Sequence, residues 1–174
     1  QMGFQMLEHQ LAKTRVLFVC MGNVCRSPVA QAVFEKKLTQ SGLTACIEVD
    51  SAGTADQHIG QKPDSRSQHA AAFRGYSLIG QVARQITVED FDYFDMILAM
   101  DWQNMRELQN LAPPQHRHKI ELVMRYAQNS DDAEVPDPYY EEQHAFNKVV
   151  DYLEDAATGL LDVVKRRAPQ PVAA

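Results

Sequence analysis

Apolar residues in this chain fall into short dense runs, separated by longer segments in which they recur every three or four positions. The first run, Arg15 to Val19 (R-V-L-F-V), is partly β-branched and predicts a buried strand. Beyond it, Ser27 is placed to cap a helix whose first turn takes Pro28, where no N–H is required. Val29, Ala30, Ala32, Val33, Phe34 and Leu38 give that helix an apolar face, and Ser41 with Gly42 end it. Cys46 to Asp50 predicts a second strand, followed by a turn-like Ser51 to Thr54 and a polar loop. A helix is expected over Asp64 to Arg74, with Gly75 as its stop, and a short one near Val88 to Phe91 capped by Thr87. Asp95 to Met100 predicts the third strand. Asp101 to Leu111 reads as a helix broken by Pro113 and Pro114, and Lys119 to Val123 as the fourth strand. From Glu141 to Lys165, Phe146, Val149, Val150, Leu153, Ala156, Leu160 and Val164 share one helical face.

Strands alternating with helices predict an α/β fold: an open parallel sheet with helices on both faces. Ligands in such sheets bind beyond the carboxyl ends of the strands, and Cys20 stands at the end of the first. No internal repeat or long linker divides the chain, so residues 14–167 are expected to form a single domain. Residues 1–13 carry no element signature and read as an N-terminal extension. The chain does not begin with Met, and vector-derived residues are one source of such an extension. Residues 168–174 are expected to be a flexible tail.

Composition narrows the function. A formal net charge of -6 argues against a nucleic-acid partner, which needs clustered Lys and Arg, but leaves room for one positive pocket. Three cysteines cannot all pair, and so sparse a count suits a reduced, cytoplasmic setting. No apolar run approaches the ~18 residues of a membrane span.

Candidate chemistry lies in V-C-M-G-N-V-C-R-S-P, Val19 to Pro28. A loop leaving a strand and entering a helix can converge its backbone N–H groups on one point, reinforced by the positive end of the helix. Met21, Gly22, Asn23, Val24 and Cys25 would form such an anion nest: Gly22 permits close backbone approach and Asn23 tolerates a left-handed conformation. A nest of this kind stabilises a thiolate and also binds a phosphoryl dianion, to which Arg26 adds a planar fork. Attack by Cys20 would give a phosphocysteine that water later removes, with Ser27 placed to help the sulfur leave. Taken alone, a strand-end cysteine is more often simply buried. Cys20 and Cys25 could be half of a metal site, but no second close pair of cysteines completes one, and His116 and His118 read as part of a solvated turn. The whole string between a strand and a helix favours phosphoryl chemistry.

Transfer from a phosphate ester calls for a general acid. Asp137 in V-P-D-P-Y-Y lies after the fourth strand, where a loop reaches the same sheet edge, and Pro136 and Pro138 restrict its backbone. Tyr139 and Tyr140 either wall a slot for an aromatic leaving group or pack at the start of the last helix. Trp102 has the same two readings, with helix packing favoured.

At this point the chain resembles the low-molecular-weight protein tyrosine phosphatase family over about residues 14–165. The resemblance rests on C-M-G-N-V-C-R-S-P (Cys20 to Pro28), D-S-A-G-T (Asp50 to Thr54), A-R-Q-I-T-V-E-D-F (Ala83 to Phe91), F-D-M-I-L-A-M-D (Phe94 to Asp101) and D-P-Y-Y (Asp137 to Tyr140). It implies a flavodoxin-like sheet of four parallel strands, Cys20 as nucleophile, Arg26 as phosphate clamp and Asp137 as proton donor. Asn23 and Ser27 would shape the loop, with Ser51 supporting Asn23. Cys25 would be the redox partner, forming a reversible disulfide with Cys20 under peroxide. No metal or cofactor is implied. The expected partner is a phosphotyrosine protein, a tyrosine kinase among the options, and the chain is expected to be a monomer or weak dimer. Gln57 and His58 fall on the pocket rim, with Gln57 where the family often has an aromatic residue. Gln81 replaces a histidine that many members carry before the A-R-Q segment. Similar loops also serve two other activities. An arsenate reductase needs further redox cysteines, and only Cys46 lies beyond the loop; an arginine phosphatase tends to have threonine where Val24 stands.

Overall fold

The computed structural model describes residues 13–167. Almost all of the expected N-terminal extension, and the tail over 168–174, lie outside the described residues. Four strands form one sheet in the order β2-β1-β3-β4, every neighbouring pair parallel. They are β1 (Thr14–Cys20), β2 (Ile47–Gly53), β3 (Met96–Ala99) and β4 (Ile120–Leu122). The helices are α1 (Arg26–Gln40), α2 (Ser65–Phe73), α3 (Val88–Tyr93), α4 (Trp102–Leu111) and α5 (Gln143–Arg167). Pro114 opens a short 3-10 segment rather than only breaking a helix.

Alternation along the central strands assigns the two faces. Val16, Phe18, Cys20, Met96 and Leu98 join the core built with α1 and α5. Leu17, Val19, Ile97 and Ala99 join a smaller core with Phe91 of α3 and Leu108 of α4. Because both faces are covered, the central strands are apolar almost continuously. All seven positions expected on one face of the last helix are buried.

Two local expectations are corrected. Ser51 to Gly53 is not a turn but the end of β2, because these residues pair with Phe18, Val19 and Cys20. Ser27 is not a helix cap. Cys25 occupies that position without a side-chain bond, and Ser27 lies wholly buried inside α1.

Beyond β4 the chain is held against α5. A Cβ added at Gly159 would lie 1.9 Å from the Tyr126 carbonyl oxygen, so only glycine permits this approach. The Asp155 carboxylate accepts the N–H groups of Gln128, Asn129 and Ser130. Burial works against this carboxylate, and the three backbone donors outweigh it, holding Asp155 below the usual range. The segment that carries Asp137 therefore starts from a fixed point. Among the described residues no helix is long and apolar enough to cross a membrane.

Candidate active site

β1 delivers Cys20 to the carboxyl edge of the sheet, and residues 21–25 turn back into α1. The turn depends on Asn23, whose φ of 56° makes it the one non-glycine in the left-handed region among the described residues. Its side chain locks that conformation. Nδ2 donates to Ser27 Oγ at 2.8 Å and to Ser51 Oγ at 3.0 Å, while Oδ1 accepts the Arg84 N–H at 3.0 Å. Ser51 in turn donates to Gln31 Oε1 at 2.7 Å. Gln81 is not part of this set; its Nε2 donates to the Pro28 carbonyl at 3.0 Å.

The loop carbonyls are tied to donors outside the loop. Thr54 N–H reaches Cys20 O, Ala55 N–H reaches Met21 O, and Asp64 N–H reaches Val24 O, at 2.8–2.9 Å. Ser67 Oγ donates to Cys25 O at 3.2 Å. Among the described residues, none of the amide N–H groups of residues 21–25 is spent on a protein acceptor. Gly53 makes the packing possible, since a Cβ there would come within 2.7 Å of Met21 O.

Cys20 and Cys25 are both buried free thiols, with different surroundings. Ser27 Oγ lies 3.0 Å from Cys20 Sγ. Since Ser27 already accepts from Asn23, its own proton is available to the sulfur, and its alternative acceptor, Ala52 O, is farther at 3.4 Å. Cys25 faces burial first and the charge of Asp64 second, which push its thiol up to about 12.

Arg26 is 2% exposed. Its Nη1 donates to Asp101 Oδ2 at 2.6 Å and to Val135 O at 2.9 Å, and Nη2 lies 3.8 Å from Asp137 Oδ2. Burial disfavours the charged guanidinium, but the pull of Cys20 and then of Asp101 outweighs it, so Arg26 is held more firmly protonated than usual. Asp101 also caps α4 through Asn104 N–H at 2.7 Å. In the sequence Asp101 reads only as the start of a helix. The signal for its second role was its place at the end of a strand expected at the same sheet edge.

A cavity of ≈ 130 Å³ opens over the sulfur, and among its lining residues are Cys20, Arg26, Gln57, His58, Asp137 and Tyr139. Met21, Gly22, Val24, Cys25 and Tyr140 complete the wall, while Asn23, Ser27 and Ser51 stand behind it as supports. Asp137 is partly exposed, and its Oδ1 accepts the Tyr139 N–H at 3.1 Å. Tyr139 and His58 face each other at 5.8 Å between ring centroids, whereas Tyr140 is 93% exposed. The His58 ring, packed beside Tyr139 on the rim, hydrogen-bonds Gln61 at 2.9 Å and sits close over Gly22. Trp102 is half exposed and does not line this cavity. No group of three or more His, Cys, Asp or Glu is placed to hold a metal ion among the described residues.

Comparison with known proteins gives one consistent result. The profile of the family described as "Low molecular weight phosphotyrosine protein phosphatase" matches residues 15–170. A low molecular weight protein-tyrosine-phosphatase of Streptomyces coelicolor is 40% identical over 156 residues, covering 88% of this chain and 94% of that protein. The human low molecular weight phosphotyrosine protein phosphatase is 42% identical over 140 residues, covering 79% of this chain and 87% of its own length. Among solved structures, a protein tyrosine phosphatase from Entamoeba histolytica with Hepes in the active site superimposes with a TM-score of 0.86 at 39% identity, covering 89% of this chain and 99% of its own.

Proposed function

This chain belongs to the low molecular weight phosphotyrosine protein phosphatase family and is a cysteine-based phosphatase, and on that premise we propose the role of each residue in its site. The phosphoryl dianion sits among the N–H groups of residues 21–25 and the fork of Arg26. Cys20 attacks phosphorus as a thiolate, so that an S–P bond forms as the P–O bond to the tyrosine oxygen breaks. Asp137, entering as the acid, gives its proton to that oxygen. The Asp137 carboxylate then takes a proton from water as the water attacks phosphorus, and the S–P bond breaks. Ser27 donates a hydrogen bond to the departing sulfur. Tyr139, with His58 packed beside it, forms one side of the slot for the aryl ring.

The observation that carries this reading is the convergence of three separate segments on one cavity, with Cys20 beside the Ser27 hydroxyl and Asp137 near Arg26. Cys25 is the resolving thiol: peroxide takes Cys20 to the sulfenic acid, and Cys25, on losing the proton that burial and Asp64 hold on it, attacks that sulfur to form the disulfide as the hydroxyl leaves as water, a reversible redox switch slowed by the raised thiol. The substrates are phosphotyrosine proteins, a tyrosine kinase among them, met in the reducing cytoplasm by a monomer or weak dimer. Arsenate reduction is not favoured because Cys46 is the only cysteine beyond the loop, nor arginine phosphatase activity because apolar Val24 lines the cavity.

The test is Cys20→Ser. Hydrolysis of p-nitrophenyl phosphate should disappear while inorganic phosphate still binds and phosphotyrosine proteins are retained. Substantial residual turnover would refute Cys20 as nucleophile.

A further inference from the structure

Between the loop of residues 20–26 and the loop bearing Asp137 lies a connection that neither sequence pattern disclosed. Asp64 N–H donates to Val24 O at 2.8 Å, which ties the start of α2 to the phosphate loop. The Asp64 carboxylate caps α2 through Arg66 N–H at 2.8 Å, and it also takes the Arg66 side chain at two points, Nε at 3.0 Å and Nη2 at 2.9 Å. The rest of the guanidinium reaches the acid loop. Nη2 donates to Tyr139 O at 3.0 Å and Nη1 to Glu141 O at 3.2 Å. The cation lies 4.3 Å above the centroid of the buried Phe146 ring, and Gln143 at the start of α5 returns a bond to Arg66 O at 3.0 Å.

We propose that Arg66, held by Asp64, is a positioning residue for the general acid. Resting on the assignment of Asp137 above, it acts through the Tyr139 peptide, whose N–H orients the Asp137 carboxylate and whose carbonyl Arg66 holds. A helix cap needs Asp64 alone. The fork adds two fixed directions, one toward the carboxylate and one toward the backbone of residues 139–141, and lysine cannot reproduce both. Surface pairs of this kind add little to stability, so the consequence of the brace is geometric. It sets the distance between the acid and the cradle that holds phosphorus, and small displacements of a reacting group are costly in rate.

A leaving-group series tests this. kcat/KM is measured for phenyl phosphate, a poor leaving group that needs protonation, and for p-nitrophenyl phosphate, which needs it less. Arg66→Ala should lose about tenfold on the first and no more than about threefold on the second. Inhibition by inorganic phosphate should stay within about twofold, and Arg66→Ala should add nothing in an Asp137→Ala background. Arg66→Lys, which keeps the charge, should show the same discrimination at smaller size and serves if Arg66→Ala folds poorly. Equal losses on both esters, weakened phosphate inhibition, or an additive loss on Asp137→Ala would overturn the proposal alone. If Asp137→Ala itself fails to discriminate between the esters, the acid assignment falls and this proposal with it.

Discussion

Replacing Asp101 by asparagine would remove one negative charge from beside a buried guanidinium while leaving a competent helix cap in place. The unscreened attraction at 2.6 Å is about 6 kcal/mol at an effective dielectric of about 20, and desolvation opposes much of it. Breaking a buried pair by removing one partner costs about 3–5 kcal/mol. Here the loss is softened: the Asp101 side chain is 18% exposed, Val135 O still accepts from Arg26, and the amide oxygen remains a neutral acceptor. About 2 kcal/mol is the expected loss, which in a domain of this size lowers Tm by about 4–8 °C. Asp101→Ala should lose about 1 kcal/mol more, the worth of the cap to Asn104. Because Arg26 would be fixed less firmly from behind, kcat/KM toward p-nitrophenyl phosphate should fall about tenfold or more. Thermal unfolding and steady-state kinetics on both variants read these effects. An Asp101→Asn protein with Tm within about 1 °C of the parent and kcat/KM within about twofold would refute the claim that this carboxylate holds the clamp.

Two other outcomes can be checked directly. Cys25, its thiol raised to about 12 by burial and Asp64, should resist iodoacetamide near neutral pH while Cys20 is modified; comparable rates at both would contradict the contrast drawn between them. Asp155, whose folded carboxyl lies below its unfolded value of about 3.9, contributes stability that is present above that value and lost as pH falls through the lower one. Asp155→Ala should therefore be less stable at neutral pH and flatter on the acid limb, and an acid limb matching the parent would count against the clamp on residues 128–130.

The apolar runs made the four strands legible, because a sheet covered on both faces needs continuously apolar strands. The cysteine loop was legible because its donors and fork are adjacent in sequence. What escaped depends on pairing across the sheet. Ser51 to Gly53 has turn-like composition, yet it extends β2 because β1 lies alongside. Ser27 has the residue type and Pro28 neighbour of a cap, but its hydroxyl is taken by Asn23 and Cys20. Asp101 comes to Arg26 only because β3 pairs with β1, a neighbour relation that local pattern does not encode. Nothing in the sequence sets Arg66 apart from the rest of its helix, since its partners at 139 and 141 are more than 70 positions away.

Fastening the loop carbonyls from outside would hold the proposed anion cradle in shape independently of its ligand. Little of the binding free energy is then spent on ordering the receptor. Asp137, the proposed proton donor, by contrast hangs on a rim segment with its own separate fastenings. Affinity for the phosphoryl group and tolerance toward what is attached to it are thus set in different parts of the molecule. Sequence change at positions 57, 58 and 139 to 141 could shift the range of esters accepted without rebuilding the interior that grips phosphorus.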